Sequence, residues 1–228
     1  MTAPTLEGSA LEGVPLSAHL RTATRTQHEE AEGTSFIGSL MAGDLDVAAY
    51  ADLAAQHHTI YSALEAGEPF LRADPRGARL VFDELPRVAA LEADLTTLVG
   101  PAWRDEVRTL PATERYAARL RDVAGTWVGG YAAHAYTRYL GDLSGGLAVK
   151  AILQRTYGVP DEAVNFYTFP GIAKPKLFKD EYRRRLDVLP LATDERERVA
   201  DEARTAFRLN TDLFRELADV HRPRPRDR

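Results

Sequence analysis

Apolar residues recur at three- and four-residue spacing through most of this chain, and no stretch alternates convincingly at every second position. Ser17 is placed to cap a first helix reaching about Glu32, where Gly33 stops it. A second helix from about Asp46 carries Tyr50, Leu53, Ala54, His57, Ile60, Tyr61 and Leu64 on one side and ends at Gly67. Shorter helices are predicted near residues 76–83, from Pro86 to Leu98, and from Thr113 to Ala124, with Gly125 as the break. A long helix follows from Trp127 to Tyr157, with Tyr131, Ala135, Leu143, Leu147 and Ile152 near helical spacing. Residues 158–174 hold Pro160, Pro170 and Gly171 and read as a loop. Pro175 opens a helix to about Leu189, and Asp194 with Glu197 makes a capping-box-like start for the last one. Its stripe is Val199, Ala203, Ala206, Leu213, Leu217 and Val220. The fold class is all-α.

One feature of the long helix runs against helix propensity. Within Ala135 to Gly146 it holds Gly141, Gly145 and Gly146. Each interior glycine costs about 1 kcal/mol relative to alanine, so the three give up roughly 3 kcal/mol, a real fraction of a domain's net stability. Gly141 and Gly145 lie four apart on one face, which therefore has no side chains to hold a neighbour off the backbone. A flat ligand or another helix fits that description equally.

Length and composition narrow the function. The 228 residues suit one domain over 16–220, with a flexible leader over 1–15 and a proline-broken, disordered basic tail over 221–228. A formal charge of −5 argues against a general nucleic-acid binder. No apolar run approaches a membrane span and the N-terminus lacks signal-peptide order, so a cytoplasmic protein is expected. The chain has no cysteine, which excludes disulfides, thiolate-ligated haem, cysteine-held iron–sulfur clusters and cysteine nucleophiles. Any metal must be held by His, Met, carboxylate or Tyr.

Three groups of residues carry candidate chemistry. His28 lies one turn before Glu32 and two turns after Arg21, which suits a ring-shaped anionic ligand: imidazole to a central metal, carboxylate to the other ring nitrogen, guanidinium to a peripheral acid. An exposed face with an ordinary charge pattern accounts for the same residues. Of the remaining histidines, His57 and His58 are adjacent on one helix, so only one can face inward. Asp142 follows Arg138 by four residues beside the glycines; it is either an intrahelical ion pair or a carboxylate holding water in a tight pocket. Lys174, Lys176, Lys179, Arg183, Arg184 and Arg185 form the densest basic run, a solvated face or a site for an anionic edge or acidic partner. Asn210 interrupts the last helix's apolar stripe between Phe207 and Leu213, and an amide there needs a partner.

Together these segments resemble the haem oxygenases, which cleave haem to biliverdin, carbon monoxide and ferrous iron. Leu20-Arg21 through His28-Glu29-Glu30-Ala31-Glu32 resembles the family's proximal helix, and Ala135 to Gly146 resembles its distal helix nearly letter for letter. Phe166-Tyr167-Thr168-Phe169-Pro170, Lys179 and Tyr182-Arg183 resemble the propionate-binding region, and Ala206 to Phe214 the last pocket helix. The resemblance implies a single-domain helical fold with haem b sandwiched between the proximal and the glycine-containing distal helix. It implies His28 as the axial iron ligand with Glu32 as its companion. It implies Arg21, Tyr136, Lys179 and Arg183 for the propionates, and Gly146, Phe207 and Phe214 against the ring. Catalysis falls to Asp142, Arg138, Tyr61 and Asn210, organising water, and to Gly141 and Gly145, letting the backbone close in and steer dioxygen toward a meso carbon. Arg21 stands where better-known members carry lysine. The implied co-reactants are O2 and an external electron donor, a soluble ferredoxin with its reductase or a flavoprotein reductase. The implied product is biliverdin, of the IX-alpha isomer on the pattern of Lys179 and Arg183. A haem carrier or sensor that leaves haem intact, or a helical interaction module whose glycines serve packing, are the competing readings.

Overall fold

The computed structural model describes residues 13–222, and among them there are helices and turns but no strand. The α-helices are α1 (Leu16–Ala23), α2 (Arg25–Glu32), α3 (Ser35–Ala42), α4 (Val47–Glu65), α5 (Glu68–Ala73), α6 (Val88–Leu98), α7 (Trp103–Glu106), α8 (Pro111–Val123), α9 (Val128–Tyr157), α10 (Pro175–Asp187) and α11 (Thr193–Val220). Three 3₁₀ turns, at Gly77–Leu80, Asp161–Ala163 and Asn165–Tyr167, complete the order. The leader and tail expected from the sequence lie outside the described residues except for 13–15, 221 and 222. His221 is not loose: its Nε2 lies 2.9 Å from Asp52 Oδ2 and its ring leans on Phe36.

The two longest helices, α9 and α11, pack along each other, α4 packs on α6 and α8, and α2 rests on α11. Leucines and alanines fill most of the interior, with Tyr50, Tyr61, Tyr116, Tyr139 and Tyr182 fully buried among them. Asp46 caps α4 as its sequence suggests, its carboxylate accepting the Ala49 N–H at 3.0 Å. Gly43 ends α3 with φ +80°, and a Cβ there would stand 2.5 Å from Thr156 Cγ2, so only glycine lets α3 close against the end of α9.

The first predicted helix is in fact two. Thr24 (φ −106°, ψ 5°) breaks it, and its hydroxyl donates to the Leu20 carbonyl at 2.8 Å, the back-bonding that bends helices at threonine. Ser17 is not the cap. It sits inside the first turn, where its N–H and hydroxyl donate to Asp187 at 2.7 and 3.1 Å, so a carboxylate from the end of α10 satisfies a free donor of α1. The expected capping box of the last helix is likewise absent: α11 starts after Ala192 with no side-chain cap, and Asp194 and Glu195 lie in its first turn, where the helix dipole favours acid. The segment near 76–83 makes only a 3₁₀ turn. The helix expected from Pro86 begins at Val88, its first free N–H groups taken by Glu65 of α4. Helices α3, α5 and α7 escape sequence analysis because eight residues or fewer show no period; buried Phe36, Leu40, Leu71 and Trp103 fix them by packing.

Two buried carboxylates hold the frame of the site. Asp94 of α6 accepts the N–H groups of Asn165 and Phe166 and the Asn165 amide at 2.8, 2.8 and 2.9 Å, shaping the segment that reads as loop. Glu202 of α11, 4% exposed, accepts from His134 Nε2 of α9 at 2.8 Å and from Arg119 Nε of α8 at 2.9 Å, joining three helices. Burial pushes the Glu202 carboxyl up, but the hydrogen bonds from His134 and Arg119 outweigh it and hold the group down at about 2. His134, fully buried, is kept neutral by its burial.

A carboxyl depressed on folding stabilises the fold above its ordinary value near 4.5 and loses that contribution as pH falls toward 2. Glu202→Gln is therefore expected to cost about 2–3 kcal/mol at pH 7. Urea unfolding should show the gap to the parent protein shrinking below pH 4.5; a gap independent of pH would mean that the ionised carboxylate is not what joins these helices.

Candidate functional site

A cavity of ≈ 630 Å³ opens between α2, α9 and α11, inside the size range of small-molecule and cofactor sites. Its near wall comes from the two halves of the broken first helix, which bring Arg21, His28 and Glu32 to one side. His28 Nδ1 lies 3.5 Å from Glu32 Oε2, and the ring meets the edge of Phe207. With Nδ1 turned to the carboxylate, Nε2 is the nitrogen available to a metal, and the imidazole is half-exposed. Among the described residues no three His or acidic side chains cluster to hold a bare ion. A metal at His28 has to bring its own remaining ligands.

The far wall is α9, from Tyr136 to Val149, running unbroken through all three glycines. A Cβ built on Gly141 or Gly145 would meet nothing within 4 Å, so neighbouring protein does not demand glycine at either position. Gly146 differs: a Cβ there would come 2.9 Å from Tyr167, and its glycine is explained by packing even though it too lines the cavity. Phe207, Asn210 and Phe214 of α11 close one side.

Asp142 does not form the simple ion pair with Arg138 that their spacing permits. Among the described residues no ion pair within 4.0 Å joins them; Asp142 accepts from the hydroxyl of buried Tyr61 on α4, while Arg138 Nη1 donates to Asn210 Oδ1 at 2.6 Å. The Arg138 guanidinium lies 5.0 Å from the centre of the Tyr61 ring. Tyr61, Arg138, Asp142 and Asn210, which the resemblance groups, are thus one assembly spanning α4, α9 and α11. Burial raises the Asp142 carboxyl above its ordinary value, opposed by Arg138, by the Tyr61 hydrogen bond and by Arg87. Burial also lifts the Tyr61 phenol far above its usual range, so Tyr61 remains a donor at any working pH.

The basic run divides. Arg183 lines the cavity and pairs with Asp180 at 3.0 Å. Lys179 stands at the rim, outside the lining, its Nζ donating to Ser144 Oγ at 2.9 Å. Arg184 and Arg185 bond to Glu181 on their own helix and take no part in the cavity. Tyr136 is partly buried, which raises its phenol, while the charges of Arg183 and Arg21 pull it back. Arg21, Tyr136 and Arg183 therefore gather at one end, two cations and a hydroxyl suited to carboxylates.

Of the adjacent pair it is His57 that faces inward and lines the cavity, while His58 turns to Glu92. The inward stripe of α4 already contained His57, and that was the available signal. Met41, Ile37 and Tyr167 also line the cavity, placed there by α3 and the 3₁₀ turn that no periodicity revealed.

The family model described as "Heme oxygenase" matches residues 14–216 of this chain. The chain is 41% identical over 205 residues to heme oxygenase 1 of Rattus norvegicus, covering 89% of this chain and 71% of the relative. It is 37% identical to heme oxygenase 1 of Synechocystis over 90% of this chain and 85% of that protein. The crystal structure of that cyanobacterial protein in complex with heme superposes with a TM-score of 0.86 over 91% of this chain and 94% of the other. A heme oxygenase from Leptospira interrogans follows at 0.84, with 33% identity and 89% and 100% covered. The chain belongs to the haem oxygenase family.

Proposed function

We propose that this protein binds haem in the ≈ 630 Å³ cavity and cleaves it with O2 and externally supplied electrons to biliverdin, CO and Fe²⁺. The observation that carries the reading is the pairing of walls: the His28 imidazole with a free Nε2 faces a helix whose cavity side is bare at Gly141 and Gly145. A flat macrocycle that brings a metal with its equatorial ligands fits both walls at once. The propionates fit the Arg21, Tyr136 and Arg183 end, with Lys179 at the rim, and this seating favours the IX-alpha isomer. Phe207 and Phe214 supply apolar surface beside the ring, and Gly146 with Tyr167 completes the wall.

Bound haem supplies the iron that activates dioxygen and the macrocycle that is cleaved. The chain's own residues do the rest. His28, oriented by Glu32, would hold the ring from the near side, and an imidazole pushes less charge onto a metal than a thiolate does. Bare backbone at Gly141 and Gly145 lets the far wall approach the ring without a side chain between. Asp142 is anchored by Tyr61 through one oxygen and leaves its other oxygen for water, so it organises proton delivery rather than touching the substrate itself. Arg138, tied to Asn210, keeps positive charge behind that carboxylate. A carrier that leaves haem intact has no use for such a carboxylate. We assign the protein to the cytoplasm with a soluble ferredoxin or flavoprotein as donor; among the described residues no helix is long and apolar enough to cross a membrane. The exposed Lys174 and Lys176, at the start of the helix that carries Lys179 and Arg183, suit an acidic partner.

Three measurements test this. His28→Ala is expected to bind hemin weakly and without the imidazole-ligated ferric spectrum; a normal spectrum would move the ligand elsewhere. Asp142→Ala is expected to keep haem affinity while biliverdin formation falls at least roughly tenfold. Asp142→Asn, which preserves the Tyr61 hydrogen bond but not the charge, should fail similarly; unchanged turnover in both would remove Asp142 from proton delivery. Turnover with an acidic protein donor should fall as ionic strength rises, whereas turnover with a small neutral reductant should not.

A further inference from the structure

His57 is 6% exposed, lies in the wall of the cavity, and makes no hydrogen bond to any described residue; its Nε2 is shielded from solvent with no partner in the protein. A buried polar atom without a partner costs on the order of 1–3 kcal/mol, and an apolar residue would pack at this position beside Leu53 and Leu140 without that penalty. The imidazole is fixed in place. Its ring lies 5.2 Å from that of Phe166 on one side and 6.3 Å from that of Tyr61, one turn further along α4. Tyr61 is the residue that donates to Asp142. The charge that faces His57 is Arg138 of α9, which with burial keeps the imidazole neutral. A neutral imidazole carries one N–H and one bare nitrogen, so it both donates and accepts.

We infer that His57 is a positioning residue of this site, holding a water molecule in the cavity beside the Tyr61–Asp142 pair, so that this water donates a hydrogen bond to a small ligand on the metal. The inference rests on the haem reading above. It extends the polar assembly from Asp142, Arg138, Tyr61 and Asn210 to a fifth group reached from α4 alone. The site then has polar anchors for water on two sides of its far wall, one on α9 and one a turn before Tyr61.

Fluoride on ferric haem is the probe, because it accepts hydrogen bonds. His57→Leu is expected to bind hemin as the parent does but to weaken fluoride binding roughly fivefold, the size of one lost hydrogen bond. His57→Gln, which keeps a donor and an acceptor, should restore most of the affinity. Fluoride affinity unchanged in His57→Leu would overturn the inference, as would equal losses in both variants, which would report cavity shape instead. The haem-free protein decides independently: a magnetisation-transfer signal between the His57 ring N–H and bound water is expected, and its absence overturns the inference. Failure of the parent protein to bind hemin would instead overturn the proposed function and leave the haem-free result to decide the role of His57. Urea unfolding of His57→Leu, expected to be at least as stable as the parent, shows that the variant is folded.

Discussion

A helix brings its main chain up to a flat ligand only where it carries no side chains, and it stays a helix there only if something else replaces the stability the glycines forgo. That constraint governs this molecule. Gly141 and Gly145 leave α9 bare toward the cavity and give up roughly 2 kcal/mol between them. The compensation is tertiary. Ahead of the bare stretch α9 is buried and held by the Glu202 assembly, while within it Asp142 is bound by Tyr61 of α4. The helix runs straight through because its neighbours fix it, not because its own residues favour it.

Polar residues that hold α9 also line the cavity. Arg138 is 5% exposed and tied to Asn210, and Asp142 is tied to Tyr61. Each partner comes from a different helix, so the orientation of the carboxylate is set by the packing of α4, α9 and α11 together. A loop could not hold it so firmly. Burial lifts the Tyr61 phenol and the neighbouring phenol and carboxylate lift the Arg138 guanidinium, so both stay protonated and remain donors beside the one carboxylate. Preorganisation here is a property of the core rather than of a few exposed side chains.

How much of this the sequence reveals follows from what periodicity can carry. The all-α class, α4, α8, α9 and α11 are legible because each buries a repeating stripe over thirteen residues or more, and α10 because Pro175 opens it. The break at Thr24 is not legible, since a threonine inside a helical run is common and only its bond to Leu20 marks the bend. Helices α3, α5 and α7 are fixed by packing alone. For the site, spacing nominated His28 with Glu32, Arg138 with Asp142, and Asn210 as an amide needing a partner. What spacing cannot say is who that partner is. Asn210 meets Arg138 across 72 residues and Tyr61 meets Asp142 across 81, and the pairing that i,i+4 spacing offers is declined in favour of both. His57 was visible on the inward stripe of α4, but an imidazole among apolar residues has no local signature separating a filled core position from a cavity wall.

The two walls are held unequally, and the difference bears on how a ligand as large as haem enters. The far wall is locked by buried bonds to two other helices. The near wall, α2, buries only Ala31, leaves His28 and Glu32 largely in solvent, and is joined to α1 through the bend at Thr24. Local stability follows burial and cross-helix bonding, so of the two walls α2 is the less firmly held. The glycines of α9 invite the opposite conclusion, that the far wall is the one that yields. Their backbone freedom is offset by the bonds around them, whereas nothing comparable restrains α2 apart from its contact with α11. A site built this way keeps the wall that carries Asp142 fixed and leaves the wall that carries His28 free to adjust.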